Sequence, residues 1–215
     1  MIKWFYILFL IPAFITGCGD STGPKKVEDD TVSIPQDIID QLQGGEIAMR
    51  KGDGFLSTQI METLNEPIPF SHSAIICKKD SQLFIVHSLG RDYSDIDGVQ
   101  IASLNLFTEE AKKGGVCIVR PKATPEELQR IQDIAIEYTK YNLPFDYGFD
   151  LETKDELHCT ELIKDVLDSA LQRDIFPVEV IDNGMECLMF KNFFNPKNFE
   201  VVYTAEPLPA LEFEK

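Results

Sequence analysis

The chain has 215 residues, of which 44% are hydrophobic, and a formal net charge of −16 at pH 7. A surface this acidic repels the phosphates of nucleic acids, so we exclude DNA and RNA as partners. After a leader and a linker at the start, roughly 170 residues remain, which is enough for one domain with a substantial core.

The first 17 residues have the pattern of a secretory signal. Lys3 precedes an apolar segment, residues 4–15, that is too short to span a bilayer as a mature helix. The sequence Ile15-Thr16-Gly17-Cys18 resembles the bacterial lipobox, which implies cleavage before Cys18 and acylation of this residue. A plain signal peptide and an uncleaved anchor are the alternatives. We therefore expect residues 1–17 to be a lipoprotein signal peptide, with the mature protein held by lipid on a membrane of the bacterial cell envelope, facing the periplasm or the exterior.

Composition then divides the rest of the chain into three parts. Residues 18–35 are polar and without helical or strand period, which predicts a lipidated N-terminus and a flexible tether. Residues 36–208 form the expected domain, and residues 209–215 an exposed tail. The domain opens with a turn and a short strand over residues 44–50, followed by an amphipathic helix that includes residues 55–64.

A hairpin comes next. Two apolar runs, residues 72–78 and 83–88, are separated by four polar residues, as in antiparallel strands joined by a turn. Side chains alternate along a strand, so His72 and His87 can point to the same side of one sheet.

The second half of the domain contains further strands and two helices. Thr124-Pro125-Glu126-Glu127 has the N-cap, the first-turn proline and the acidic residue of a capping box, so a helix is expected to begin there. Apolar spacing from Leu162 to Leu171 predicts the other helix. Strands in series with a few helices indicate an α+β domain. The additional strand candidates are residues 99–101, 116–120, 177–181 and 199–203.

A lone cysteine, Cys159, stands at the start of the second of these helices. In the first turn of a helix, free N–H groups and the helix dipole favour a thiolate, the form that attacks carbonyl carbons. His72 is the candidate base and His87 the group that orients it. The N–H of Cys159 would help to hold the oxyanion, and Tyr147 is either a second donor or an aromatic packing residue. The alternatives are an inert buried thiol and hydrogen-bonded structural histidines.

Three cysteines remain once Cys18 and Cys159 are assigned, so a complete disulfide framework does not fit. Cys77 and Cys117 have the apolar strand neighbours of buried thiols, with a bridge between them as the alternative. The third, Cys187, has no assignment.

The histidines and Cys159 lack the close paired spacing of zinc motifs, so we expect neither a metal nor another cofactor. His158 directly precedes Cys159 and is given no catalytic role. Glu161 is interpreted as part of a solvated helix face, or as a residue that holds the helix start.

Four segments together resemble the permuted papain-like amidases, the YaeF/YiiX group related to NlpC-type cysteine peptidases. They are residues 45–57, 70–75, 84–88 and 145–162, and the histidine strand precedes the cysteine helix, the reverse of the order in papain. The resemblance implies a circularly permuted papain-like domain of the NlpC type, an antiparallel sheet packed against helices. It also implies that Cys159 is the nucleophile, His72 the base and His87 the third polar residue. The chain departs from the family at Gly45-Glu46, where Gly-Asp is usual, and at Cys159-Thr160-Glu161, where Cys-Ser-Glu is frequent.

The sequence therefore predicts an envelope-anchored cysteine hydrolase that cleaves an amide bond, in peptidoglycan or another peptide, through an acyl-enzyme. A lipid-directed thioesterase, esterase or acyltransferase with the same three residues is the first alternative, and an inactive binding lipoprotein the second. A long apolar groove beside Cys159 would favour lipid, and a narrow polar cleft would favour peptide. The substrate, the choice between inner and outer membrane and the oligomeric state are left open.

Overall fold

The structure, a computed structural model, describes residues 33–112, 114–181 and 184–213. The predicted signal peptide, Cys18 and most of the predicted tether lie outside these residues. Within the described ranges, no helix is both long enough and apolar enough to cross a membrane. The helices are α1 (Gln36–Gln41), α2 (Phe55–Leu64), α3 (Leu104–Glu109), α4 (Pro125–Tyr138) and α5 (Cys159–Leu171), with a short 3-10 helix at Phe190–Phe194. The strands are β1 (Ile47–Arg50), β2 (His72–Lys79), β3 (Gln82–Leu89), β4 (Gly98–Ser103), β5 (Val116–Pro121), β6 (Glu179–Val180), β7 (Glu186–Cys187) and β8 (Phe199–Thr204).

Six strands form one antiparallel sheet in the order β4-β3-β2-β1-β5-β8. The centre of the sheet is β1, which pairs with β2 on one side and β5 on the other, and all four of its residues are buried. The predicted hairpin is β2–β3. It turns through Asp80 and Ser81, both with positive φ, between the paired residues Lys79 and Gln82. Two central residues with positive φ fit the right-handed twist of the flanking strands.

The sheet has a core on each face. On one face α4 and α5 pack against β2, and the alternate strand residues Ile75 and Cys77 join this larger core. On the other face Ala74 and Ile76 cluster with Leu104 and Phe107 of α3. The helices thus cover both sides of the sheet, which explains why Ile47, Ala48 and Met49 of β1 are apolar without alternation.

Both long helices begin where the sequence predicts. In α4, the Thr124 hydroxyl accepts the Glu127 N–H at 3.2 Å, and the Glu127 carboxylate accepts the Thr124 N–H at 2.8 Å. Helix α5 begins at Cys159 and has the same reciprocal arrangement, with the imidazole of His158 as the cap. Its apolar side chains are buried against the sheet, and they are Leu162, Ile163, Val166, Leu167, Ala170 and Leu171.

The predicted α+β fold, an antiparallel sheet packed against helices, is present, with differences in local elements. The predicted strand at residues 177–181 is only Glu179–Val180, which pairs with β7 outside the main sheet. It cannot join that sheet at β5 because β8 already occupies this edge. Helix α3 is too short for a readable period, and the Ser103 hydroxyl starts it by accepting the Leu106 N–H at 3.0 Å.

A Cys77–Cys117 disulfide is excluded by the strand order. Cys77 lies on β2 and Cys117 on β5, with β1 between them. Two strand spacings amount to about 9.6 Å, beyond the reach of a disulfide. Both thiols are free, and burial raises the pKa of each to about 12. They are the buried packing residues that the first interpretation predicts.

Glu46 explains the Gly-Glu sequence before β1. Its carboxylate is fully buried and accepts the N–H groups of Gln43 and Gly44 at 3.0 and 2.8 Å. The Arg120 guanidinium on β5 donates to the same carboxylate at 2.8 and 2.9 Å. An acidic residue here ties the turn to the sheet, and this position has a structural role rather than a catalytic one.

We predict that Gly98→Ala destabilises the protein more than Gly184→Ala. Both glycines have positive φ, +96° and +85°, so each alanine variant bears about 1–2 kcal/mol of backbone strain. A Cβ at residue 98 would also lie 1.9 Å from the carbonyl oxygen of Leu143, whereas nothing lies within 4 Å at residue 184. The extra loss should be about 2 kcal/mol, measured by urea unfolding. Equal losses would contradict the close approach at the start of β4.

Candidate active site

Cys159 is held at the start of α5 by the packing of that helix on the sheet. Its side chain is 5% exposed and lies against Ser73 of β2, whose N–H and hydroxyl both approach the sulfur. The Ser73 hydroxyl has no other partner, and its contact with sulfur is looser than a standard hydrogen bond. The sulfur of Cys159 thus contacts the residue that follows His72 in the chain.

The two strand histidines form a direct pair. His72 Nε2 lies 2.9 Å from His87 Nδ1, and both rings contact the Phe107 ring of α3, at centroid distances of 5.6 and 6.5 Å. The predicted placement of both imidazoles on one side of the sheet is therefore observed. The side is that of α3, because His72 and His87 alternate with Ser73 and Ser88 along their strands.

Cys159 and His72 meet at the end of the sheet. His72 is the first residue of β2, where the sheet ends, so the sulfur from the α5 side and the imidazole from the α3 side line the same cavity of about 370 Å³. No hydrogen bond joins the sulfur to His72 among the described residues. We call this space the site cavity; its lining includes Arg50, Asp53, Ile60, His72, Glu110 and Cys159.

Burial favours uncharged forms throughout the site. It lowers the pKa of His72 well below the usual value and that of His87 to about 3, and the positive charge of Arg50 acts in the same direction on both. Burial also raises the pKa of the Cys159 thiol, although the N–H groups of Ser73, Thr160 and Cys159 itself oppose the rise. The resting thiol is therefore neutral, which differs from the thiolate that a helix N-terminus alone would favour. The cause is that desolvation outweighs the helix N–H groups here.

Arg50 is a site residue that the sequence analysis missed. It lies opposite His72 in the β1–β2 register and is 5% exposed. Its Nη1 donates to the Phe107 carbonyl at 3.1 Å and pairs with Glu110, while the guanidinium carbon stands 4.8 Å above the Phe107 ring. The available signal was a charged residue at the end of the apolar run Ile47-Ala48-Met49.

A second group of ionisable residues surrounds the start of α5. His158 Nδ1 accepts the Glu161 N–H at 3.4 Å, and Glu161 Oε2 accepts the His158 N–H at 3.1 Å. Burial lowers the pKa of His158 to about 3 and raises that of Glu161 to about 7, with the charge of Asp146 adding to the rise. Asp146 is fully buried, and its two oxygens accept the N–H groups of Gly148 and Asp150. Glu161 thus holds the helix start, and the solvated-face interpretation is wrong.

Tyr147 does not supply an oxyanion donor. Its hydroxyl accepts the Arg91 N–H at 2.8 Å and donates to Asp97 at 3.1 Å, and half of the residue is exposed. It joins the aromatic loop before α5 to the loop after β3. Its ring packs on Phe145, which lines the site cavity.

An apolar cavity of about 270 Å³ adjoins the site cavity. The two share Leu56 and Ile60 of α2, and the apolar cavity extends past His158 and Thr160, the two residues on either side of Cys159 in the chain. Its apolar lining is supplied by Leu56, Ile60, Leu64, Phe149, Met185 and Leu188.

The fold and the site define a class. A helix that begins with a cysteine and packs on an antiparallel sheet carrying a bonded histidine pair is the arrangement expected of a papain-like cysteine hydrolase. Residues 48–205 match the family described as permuted papain-like amidase enzyme, YaeF/YiiX, C92 family. The chain belongs to this family of papain-like cysteine amidases and peptidases, which confirms the resemblance and the enzyme class.

A solved structure has the same fold. It is described as metalloprotein YiiX from Escherichia coli O157:H7, with a TM-score of 0.65 and 16% identity, and the match covers 78% of this chain and 99% of the other. At this identity the likeness supports the fold alone. No curated protein matches the chain.

We predict that His87→Gln reduces the loss of stability in acid. The pKa of His87 is about 3 in the folded chain and about 6.5 when unfolded, so the unfolded chain takes up a proton at this residue between these values. The contribution of His87 to stability is therefore complete above pH 6.5 and falls as the pH is lowered. The wild type should lose about 2 kcal/mol more than His87→Gln between pH 7 and pH 5, measured by urea unfolding. Parallel curves for the two proteins would show that this histidine is not held neutral.

Proposed function

We propose that the protein is an envelope-anchored hydrolase that cleaves an amide bond with Cys159 as nucleophile, His72 as base and His87 as the residue that orients His72. The main support is the 2.9 Å bond between the two imidazoles, combined with the cavity that His72 shares with Cys159. Because both side chains line one cavity, a single bound substrate could reach both, which supports the proposed roles.

The bond between the imidazoles determines which nitrogen can act. If His72 Nε2–H donates to His87 Nδ1, the Nδ1 of His72 keeps a lone pair and can accept a proton. The reverse direction would place the proton on His72 Nδ1 and remove the base. Catalysis therefore requires His87 as acceptor with its own proton on Nε2, an atom that is buried and without a partner. The low pKa of His87 keeps it neutral in that role.

Proton transfer and attack occur together in this proposal. A preformed thiolate–imidazolium pair is disfavoured by burial, so His72 Nδ1 takes the thiol proton as sulfur bonds to the carbonyl carbon, directly or through one water in the site cavity. His72 then returns the proton to the leaving amine as the C–N bond breaks. Water, deprotonated by His72, releases the acyl group from sulfur.

The oxyanion would lie at the start of α5. The N–H of Cys159 is in the first turn of the helix, where backbone donors are free of intrahelical partners. The N–H of Ser73, which already approaches the sulfur, is the second candidate donor. Both donors belong to packed elements, so they need no reorganisation as charge develops.

The polar lining of the site cavity favours a peptide substrate. Arg50, Asp53, Glu109, Glu110 and Lys112 contribute to it, and such groups suit the amides and charges of a peptide. Peptidoglycan peptides are the proposed substrate if Cys18 carries lipid, because the enzyme would then be tethered beside the cell wall. Membrane attachment through Cys18 and an envelope location remain part of the proposal.

The adjoining apolar cavity supports a second candidate, a lipid-directed thioesterase, esterase or acyltransferase. It begins beside Thr160, the residue after the nucleophile, and its lining is mainly hydrocarbon. About 270 Å³ accommodates part of an acyl chain or one large apolar side chain. The same catalytic residues would serve either substrate.

We predict that an iodoacetamide probe labels Cys159 in the purified chain, and that Cys159→Ala removes this label together with hydrolysis of peptidoglycan fragments. His72→Ala should slow hydrolysis by about 10²–10⁴-fold, because the general base is lost. Mass spectrometry locates the label, and released amine measures hydrolysis.

Cys187→Ala is the matched control for labelling. Cys187 is 7% exposed, close to the 5% of Cys159, but it lines the apolar cavity and not the site cavity that contains His72. This variant should keep the label at Cys159. Full hydrolysis by Cys159→Ala, or unchanged hydrolysis by His72→Ala, would refute the proposed mechanism.

We predict that Thr63→Trp separates the two substrate classes. Thr63 lies on α2 at the apolar cavity, so an indole there would fill the space, whereas Glu62→Trp places the same ring on a neighbouring residue outside the lining. If acyl chains bind in this cavity, Thr63→Trp should raise KM for long acyl thioesters at least tenfold and leave short ones unchanged. Equal effects of the two variants at every acyl chain length would show that the apolar cavity does not bind the substrate.

A further inference from the structure

We infer that Asp146, His158 and Glu161 form a binding site for a divalent transition-metal ion of the zinc class. The three residues offer one ligand atom each, and these atoms all lie within 4.8 Å of one another. The residues are 0, 5 and 4% exposed. Imidazole with two carboxylates is a ligand set that zinc accepts, with a fourth position left for water.

The distance between the imidazole and Glu161 fits a shared ion better than a hydrogen bond. His158 Nε2 lies 3.6 Å from Glu161 Oε2, beyond the range of an N–H···O bond. Two ligands bound at 2.0–2.1 Å in tetrahedral geometry are about 3.4 Å apart. A small movement of either side chain would bring both atoms to one ion.

The two carboxylates of the cluster accept backbone N–H groups but have no Lys or Arg partner among the described residues. They are buried beside each other. Lys154, the basic residue that acts on Glu161, donates instead to the carbonyl of Leu151. Burial of two neighbouring carboxylates disfavours their ionised forms, and a divalent cation bound to both groups stabilises those forms.

Binding requires Glu161 to be ionised and the ring proton of His158 to move. His158 Nδ1 accepts the Glu161 N–H and contacts the Thr160 hydroxyl at 3.1 Å, so the neutral ring carries its proton on Nε2. When Nε2 binds the cation, that proton moves to Nδ1, which then donates to Thr160 Oγ1. The lost bond is the long one, at 3.4 Å, and the Glu161 carboxylate still caps the His158 N–H.

The ion would join two segments around the nucleophile. Asp146 belongs to the aromatic loop, while His158 and Glu161 form the first turn of α5 on both sides of Cys159. His158 also lines the apolar cavity, where the fourth ligand, a water, has room. The ion therefore has a positioning role for the helix start, and this inference does not depend on the proposed hydrolase activity.

The test is zinc binding by the full chain. The purified protein is stripped with a chelator and titrated with Zn²⁺ by calorimetry, and one equivalent is expected. Asp146→Asn should weaken binding at least tenfold, because it removes a charged ligand. Glu156→Gln is the matched control, since it removes a partly exposed carboxylate close enough to interact with Asp146 but outside the cluster. It should bind like the wild type.

Two further measurements distinguish this site from others and from misfolding. Cys159→Ser should keep the zinc, and Zn²⁺ should raise the melting temperature of wild type and Glu156→Gln but not that of Asp146→Asn. If Asp146→Asn does not fold, Co²⁺ bound to the wild type reports the ligands by its visible spectrum, which should lack a thiolate charge-transfer band. No stoichiometric binding by the wild type, or binding that depends on Cys159, would overturn the inference. Equal affinity of folded Asp146→Asn and Glu156→Gln would do the same.

Discussion

The packing of α5 against the sheet is the interaction on which the site depends. Leu162, Ile163, Val166 and Leu167 are fully buried, and each contributes about 1.5–3 kcal/mol relative to an exposed side chain. This core sets where the helix begins, and the beginning sets the position of Cys159 beside Ser73. Cys159 is thus positioned by apolar surface on one face of the sheet, and His72 by a hairpin whose histidines face the other. The approach of Cys159 to His72 does not depend on which of their elements comes first in the chain, so a permuted sequence can form the same site.

Burial determines the protonation states of the side chains around Cys159 and His72. Three imidazoles, one thiol and two carboxylates are almost completely removed from solvent around the start of α5 and the end of β2, and their pKa values shift toward the neutral forms where shifts are resolved. Arg50 is the charged exception, and it is held by Glu110 and by the face of Phe107. In the proposed mechanism, a resting site without charge separation reacts only when an electrophile in the site cavity, such as a substrate carbonyl, accepts the electron pair of sulfur.

The sequence could predict what depends on local periods. The two-residue alternation of side chains along a strand predicted that His72 and His87 lie on one side of a sheet. The capping box located the start of α4, and the apolar spacing located α5. It could not predict features that depend on tertiary neighbours: that Glu161 is buried by the aromatic loop, that β8 displaces β6 from the sheet, or that burial overrides the helix dipole at Cys159. His158 as an N-cap was also missed, because imidazole is not among the residues that ordinarily cap helices.

The two-residue turn between β2 and β3 restricts where this family of structures can vary in length. Extra residues at Asp80 and Ser81 would extend a loop far from the histidines and leave the strand register intact. One extra residue inside either strand would rotate an imidazole to the opposite face and break the pair. Natural variants that preserve activity should therefore differ in hairpin tip length while the strand segments leading to the two imidazoles keep a constant count.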